Sequence, residues 1–500
     1  MKTSAIQKEM LELLEKLNQK SLITNELYTS LTHDCQQTLH SETPVEWSDV
    51  RKLFFDIGVD PKFEVEPMNS ANLCPTFVSV LYKINELRFQ FNADISMQSR
   101  QERYRLILEA IRKVIALHVG AVSDSDAKNI ALVRNTSEAN NQLSKGYKLW
   151  EGNTVLLWDE NHPTNYNVWK SRATETKKVE TFSLDKIDFI HGKDEDIVKG
   201  ICKIILDKID EIRDRNERTV LLSFSEVSNI SGICMPTKEI IEKVRATYPD
   251  IHIHVDGAVS WGGLEINLIA KNGVKGVNCD SFASSSHKWL MGPFETGIFY
   301  MKPERAKNFD ISIHAYDGKI GFEDKLPEDT SRFELLGQRD EANIYALGQT
   351  ILEHDKINGN NPKRIETRVK CLQDDLRRKL NFMASSLGVE IVHVTPTSEK
   401  FSNGVTVFRF ISPRTTINHK ELYDYLYGEK GKGYRFAVGF IPEKKTEHKT
   451  RPEALRICPH IMNLPTQISL VVIRIANFIL KEHNITLEKL NAITEKEYEF

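Results

Sequence analysis

The sequence predicts an α/β protein, with a mostly parallel sheet covered by helices on both faces and a smaller α+β domain at the C-terminal end. Three observations carry this. Short apolar runs alternate with longer helical patterns from Ile130 to Met301. Hydroxyl, amide and acidic residues gather just past the ends of those runs. After residue 345 the alternation gives way to a mixed order of helices and strands. Short buried strands separated by helices are the pattern of a parallel sheet.

The elements follow in order. Residues 1–65 form a helical N-terminal extension. In the helix over 5–20, Ile6, Met10, Leu13, Leu14 and Leu17 share one face. That face either packs on its own subunit or serves as a bridging arm. Residues 21–65 read as further helix and loop. Residues 66–345 form the large domain. It begins with the polar, turn-rich Glu66–Pro75, followed by a helix, and a long helix covers 101–118. Strands are expected at Ile130–Val133, Val155–Trp158, Val179–Phe182, Val220–Phe224, His252–Val255, Ser281–Ala283 and Gly297–Met301. Helices fall between them, at Asn135–Asn140, after Asn165, over 193–213 and from about Pro236. Residues 346–500 form the small domain. A helix from about Ala342 leads into it, and others cover 364–386, 418–427 and 467–480. Its strands lie at 388–394, 404–411 and 455–457. The charged segment 443–451 reads as a solvated loop. In such folds the site lies at the carboxyl ends of the strands and in the cleft between domains.

Bulk properties exclude several classes. The 500 residues are 40% hydrophobic and 27% charged, ordinary for a globular protein. A net charge of −3 offers no basic field for nucleic acid. No apolar run is long enough to span a membrane. Glu9, Glu12 and Glu15 interrupt what a secretory signal would need to be apolar, so a cytoplasmic location is expected. Seven cysteines without a CxxC pair read as reduced thiols.

Several residues could carry chemistry, each with a plainer reading beside it. Thr136 and Ser137 stand between a strand and a helix, where a phosphate finds free N–H groups and the positive helix end. Either could equally be an ordinary N-cap, with Glu138 in the first turn. His162, past a strand end, could stack on an aromatic ring or be a hydrated loop histidine. Asn229 could donate to a phenolic oxygen or bond its own turn. His252, His254 and Asp256 share a strand face and could bind a divalent metal, as in a hydrolase. Lys288 follows an apolar strand and precedes Trp289 and Leu290. Taken alone it is a surface charge. Partly enclosed, it has a lowered pKa and an amine free for carbonyl chemistry. Asp256 is then the carboxylate that would stabilise a protonated ring nitrogen.

The ordered set resembles a known family. Val255-Asp256-Gly257-Ala258 followed by Ser285-Ser286-His287-Lys288 is similar to the class V aminotransferases, pyridoxal phosphate (PLP) enzymes of fold type I. Asn161–Asn165, His287–Pro293 and Gly337-Gln338-Arg339-Asp340 resemble the isopenicillin N epimerase-like branch most closely. The likeness covers roughly residues 66–480. It implies Lys288 as the Schiff-base lysine and Asp256 as the partner of the pyridine nitrogen. It further implies Thr136, Ser137, Ser285 and His287 as phosphate ligands, His162 on the ring and Asn229 near the phenolic oxygen. Gln338 stands where the family's threonine reaches the neighbouring subunit's phosphate. Arg456 corresponds to the arginine that clamps a substrate carboxylate, and Asn72 to a further substrate contact. A homodimer acting on a small amino-acid-type molecule is implied, with no metal.

Departures narrow the expectation. Val259 replaces a glutamine or histidine, Gln338 replaces threonine, and Glu295 replaces glycine. Residues 412–455 hold no cysteine, and Cys458 lies in the strand after Arg456, so a desulfurase with a loop cysteine is not expected. Removal of a Cα proton by Lys288 is the shared step. It can be followed by epimerisation, by C–S lyase-type elimination or by transamination.

Overall fold

A computed structural model describes residues 5–37, 45–54, 65–120, 123–269, 276–313, 327–334, 336–428, 435–445 and 450–482. The chain groups into two compact units. The first takes in Met1–Val45, Thr76–Ser228 and Met235–Lys363; the second takes in Glu46–Pro75, Asn229–Cys234 and Arg364–Phe500.

The first unit is built on seven strands: β1 (Ile130–Val133), β2 (Asn153–Trp158), β3 (Lys178–Phe182), β4 (Arg218–Ser225), β5 (His252–Asp256), β6 (Ser281–Ser285) and β7 (Gly297–Met301). Their order across the sheet is β1-β7-β6-β5-β4-β2-β3. Only β7 runs antiparallel to its neighbours; the remaining pairs are parallel. Strands β1, β5, β6 and β7 are buried at every position, so both faces must be packed. The register pairs Ser225 with Asp256 and Asp256 with Ala283. It also pairs Ser285 with Gly297 and Gly297 with Val133. The carboxyl ends of β1, β4, β5 and β6 therefore line one edge, where ligands bind in doubly wound sheets.

Five of the described helices of this unit bear on the site and its support. The apolar face of α1 (Ala5–Gln19) is buried as the spacing predicts, through Ile6, Met10, Leu13, Leu14 and Leu17. It packs on α2 (Met97–His118) of its own chain rather than standing free as an arm. Helices α3 (Thr136–Gly146) and α4 (Pro163–Lys170) start beside the ligand-binding edge. Helix α5 (Glu341–Asn358) packs on α2, which is why residues up to Lys363 group with the first unit. Ala131, Leu143, Val155, Trp169 and Phe299 belong to the core on one sheet face.

The second unit has a four-stranded antiparallel sheet in the order Gly439–Ile441, Ala454–Ile457, Thr406–Ile411, Glu390–His393. Helices Arg364–Leu387, His419–Tyr427 and Pro465–Glu482 cover it around Leu376, Leu380, Phe408, Leu455 and Ile475. Val65–Pro67 pairs with Arg435–Ala437, which ties the segment before residue 75 to this unit. The segment 443–451 departs from the expected loop: Lys444–Lys445 pairs with Thr450–Arg451. Backbone pairing at an exposed edge does not need apolar side chains. All seven cysteines are free. Among the described residues no helix is long and apolar enough to cross a membrane.

Candidate active site

Lys288 stands three residues past the end of β6, half-buried, in a loop that is tied down at many points. Ser286 N–H donates to the Thr296 carbonyl (3.0 Å) and its hydroxyl to the Pro293 carbonyl (2.8 Å). Gly292 N–H returns to Ser286 O (2.9 Å), and Met291 N–H to Lys288 O itself (3.0 Å). From outside the loop, Thr76 Oγ1 donates to Gly292 O (3.2 Å) and His354 Nε2 to Leu290 O (2.8 Å). Trp289 and Leu290 are fully buried and anchor the lysine's chain neighbours. Gly262 permits this. At φ +95°, its missing Cβ would lie 2.4 Å from Leu290 N and 2.6 Å from Trp289 C. The turn also holds Met291 and Glu295 at φ +58°, a left-handed conformation that ordinary residues adopt at a cost. Strain of this kind persists where surrounding bonds over-determine the backbone.

Asp256 ends β5 and is buried. Its Oδ1 accepts from Ala258 N–H (3.0 Å) and its Oδ2 from Asn140 Nδ2 (3.3 Å). Both His252 and His254 lie on the same strand face, as alternation predicts. They do not form a metal site. His254 is hydrogen-bonded at both ring nitrogens, to Ser281 Oγ (2.9 Å) and to Asn140 Oδ1 (3.0 Å). His252 Nε2 also meets Ser281 Oγ (2.8 Å). Burial pushes their pKa values down to about 4 for His252 and about 3 for His254, so both are neutral. Among the described residues no group of three or more His, Cys, Asp or Glu could hold a metal. The hydrolase alternative falls on this count.

The phosphate-ligand candidates converge at the start of α3. The N-cap is Asn135, whose Oδ1 accepts from Glu138 N–H (2.9 Å), not Thr136 or Ser137. This leaves Thr136 and Ser137 inside the first turn with their hydroxyls uncommitted to capping. Thr136 N–H donates to Ser285 Oγ (2.8 Å), and the two hydroxyls lie 2.7 Å apart. His287 stacks on Phe294 with ring centroids 5.8 Å apart. Burial, with Lys288's charge, lowers its pKa to about 4, and its Nδ1 is buried without a hydrogen-bond partner.

His162 is itself the N-cap of α4: its Nδ1 accepts from Thr164 N–H (3.3 Å). Asn161 locks it beside β4. The Asn161 amide accepts from Ser225 N–H (2.8 Å) and donates to Ser223 O (2.9 Å), and Ser225 is the register partner of Asp256. Gln338 is exposed, after Gly337 at φ +80°. Val259 is buried in the turn after Asp256.

In the second unit, Arg456 is 8% exposed. Its Nε donates to Asn69 Oδ1 (3.1 Å) and its Nη1 to the Asn229 carbonyl. Both acceptors are neutral, and among the described residues no carboxylate pairs with it. Gly439, its register partner, leaves the room: a Cβ there would lie 2.8 Å from Arg456 Nε. Asn229 thus contributes its backbone oxygen to this arginine. Asn72 is exposed and gives its N–H to Asn69 O (2.8 Å). Of these two asparagines it is Asn69 that hydrogen-bonds Arg456.

Two functional neighbours escaped the sequence reading. Asn140 lies one helical turn beyond Thr136, a spacing that could have flagged it. Asn69 is hundreds of positions from Arg456, and nothing local signals the contact.

These residues fit pyridoxal phosphate. Hydroxyls, a helix N-terminus and an orphaned buried imidazole nitrogen suit a phosphate group. A buried carboxylate suits a protonated ring nitrogen.

Comparison with known proteins agrees. The family model for class V aminotransferases matches residues 70–351, more than half of the chain. Isopenicillin N epimerase of Streptomyces clavuligerus is 26% identical over 294 residues, covering 57% of this chain and 67% of that protein. A cysteine desulfurase of Wigglesworthia glossinidia brevipalpis is 28% identical over 207 residues, covering 40% of this chain and only 43% of the relative. Among solved structures, a cystine C–S lyase aligns over 82% of this chain and 97% of its own, with TM-score 0.64 at 16% identity. A cysteine desulfurase of Thermococcus onnurineus aligns over 86% and 98%, with TM-score 0.64 at 19% identity. At such identities the structural likeness speaks for the fold alone.

Proposed function

The chain belongs to the class V aminotransferase family of PLP-dependent enzymes, and from that premise we propose that it acts on the Cα–H bond of an amino-acid-type substrate, with an epimerase-like or C–S lyase-type outcome. One observation supports this: Asp256 and the Thr136–Ser285 cluster stand at the carboxyl ends of strands of one sheet, and Lys288 follows three residues after Ser285.

Lys288 would hold the cofactor through Nζ, with Thr136, Ser137, Ser285 and His287 around its phosphate. Asp256 would keep a proton on the ring nitrogen, His162 would cover the ring face, and Asn229 would serve the phenolic oxygen. When bound, pyridoxal phosphate supplies an electron-accepting ring conjugated to the substrate's Cα. The remaining work falls to the chain. Arg456 would receive the substrate carboxylate with a guanidinium that, among the described residues, no acid neutralises. The freed Lys288 amine takes the Cα proton and can return one. Its pinned loop keeps that amine in reach through the cycle. Asn72 is the weaker substrate contact, since Asn69 is the one placed on Arg456.

Relatedness to isopenicillin N epimerase supports proton return at Cα. The absence of cysteine over 412–455 disfavours loop-cysteine desulfuration. We further propose a cytoplasmic homodimer with Gln338 at its interface. Tyr82 and Phe89, two turns apart on one helix, are 64% and 82% exposed, and Ile95 and Met97 just beyond are 69% and 59% exposed. Exposed large apolar side chains of this kind support an interface. A monomer by light scattering would refute it.

The functional test is incubation of PLP-loaded protein with an amino-acid panel in heavy water. Deuterium at Cα of recovered amino acid is expected for an epimerase-like outcome, or release of the β-substituent with deuterium at Cβ of the keto acid for a C–S lyase-type outcome, with at least one substrate. Transfer of the amino group to the cofactor without Cα exchange would contradict the reading.

A further inference from the structure

Behind Asp256 lies a buried row of polar side chains that the proposed chemistry does not use. Its members are His252, Ser281, His254 and Asn140, each 2% exposed or less. Successive contacts measure 2.8, 2.9, 3.0 and 3.3 Å, ending on Asp256 Oδ2. The direction of every bond follows from the last one. A carboxylate accepts only, so Asn140 must turn its amide nitrogen to Asp256. Its oxygen then faces His254 Nε2, which must carry a hydrogen. A neutral imidazole with Nε2–H has a bare Nδ1, so the Ser281 hydroxyl donates there. That hydroxyl oxygen then accepts from His252 Nε2–H.

We infer that Asn140 and His254 are positioning residues for the cofactor's ring nitrogen: they form a directed chain of neutral donors that fixes the Asp256 carboxylate as an ionised acceptor. Two donors hold the two oxygens, Ala258 N–H on Oδ1 and Asn140 on Oδ2. This locks the carboxylate plane and leaves its outer lone pairs for a ring N–H. The chain's length has a physical use. Each hydrogen bond polarises the next in a low-dielectric interior, so the final donor is stronger than an isolated amide. A neutral His254 keeps this direction; as an imidazolium its Nδ1–H would donate to Ser281 and turn the bonds from there to His252 round. Around His252 the charged groups are Asp280, Arg245, Lys302 and Arg305, paired among themselves by Asp280 contacts of 2.6 to 3.8 Å.

The inference rests on the PLP reading, and the experiment separates the two. Wild type, Asn140→Leu, His254→Phe and the double variant are titrated with pyridoxal phosphate, following both tryptophan quenching and the visible band. Asn140→Leu is expected to weaken cofactor binding about tenfold and shift the band; His254→Phe weakens it about threefold. The double variant should match Asn140→Leu alone, since His254 acts through the amide. If wild type fails to load, the PLP reading fails. If wild type loads and Asn140→Leu loads equally well with an unmoved band, the inference fails. Fully additive effects in the double variant also overturn it. Nitrogen-15 NMR of the cofactor-free wild type tests the chain without relying on any variant's folding. It should show His254 as the neutral Nε2–H tautomer; an Nδ1–H tautomer or an imidazolium at pH 7 refutes the directed chain.

Discussion

Arg456→Lys tests the proposed carboxylate clamp. The guanidinium is anchored by Nε on Asn69 and Nη1 on Asn229 O, which fixes its plane and leaves Nη2 to point a second donor at a ligand. Lysine keeps the charge but loses the planar fork, so one of two charge-assisted bonds to the carboxylate goes. Such a bond contributes about 1.5–3 kcal/mol, or about tenfold to a hundredfold in affinity. The anchors add to the effect, because an ammonium cannot satisfy Asn69 and a ligand in the same geometry. The assay is a spectral titration of PLP-loaded protein with a substrate found in the heavy-water panel, repeated with its decarboxylated amine. Arg456→Lys should weaken the amino acid by that factor and leave the amine within about twofold. Equal binding of the amino acid by both proteins, or an equal loss for the amine, would refute the clamp.

Three further outcomes follow. Gly262→Ala places a methyl against Leu290 N in a backbone region alanine avoids, so it should cost about 3 kcal/mol or more in urea unfolding and abolish PLP uptake; unchanged stability and uptake would show that the close approach is unimportant. Glu295→Gly should raise stability by about 1 kcal/mol, since Glu295 is exposed and sits at φ +58°; a loss in urea midpoint would mean that its side chain matters. His252, His254 and His354 are buried neutral, with pKa values lowered from the ordinary 6.5 to about 4, about 3 and about 4. The unfolded chain therefore binds more protons below pH 6.5, and stability falls as pH drops from 6.5 toward 4, by about 1.4 kcal/mol per pH unit for each histidine. Urea unfolding at pH 7.5, 6.5 and 5.5 should show little change in the first step and a fall in the second; a rise would contradict the neutral, buried assignment.

What was legible in the sequence was what depends on local pattern. Ile130–Val133 and Gly297–Met301 stand at the residues expected, because uninterrupted apolar runs between turn residues leave no other placement. The Val-Asp-Gly-Ala and Ser-Ser-His-Lys segments marked the strand ends that carry Asp256 and Lys288. Asn135 was missed as the cap because three adjacent residues could all cap, and only side-chain geometry decides among them. Asn69 on Arg456, and the row from Asn140 to His252, join residues distant in sequence; no periodicity encodes such contacts. The left-handed Glu295 was visible only as a departure from glycine, and its φ supplies the physical meaning.

The central claim is that Lys288 carries the cofactor. The direct measurement is borohydride reduction of the PLP-loaded protein, followed by digestion and mass spectrometry of the labelled peptide. The account predicts a single stoichiometric phosphopyridoxyl group on Lys288, absent from Lys288→Ala. A label on another lysine, or the same label persisting in Lys288→Ala, would contradict it.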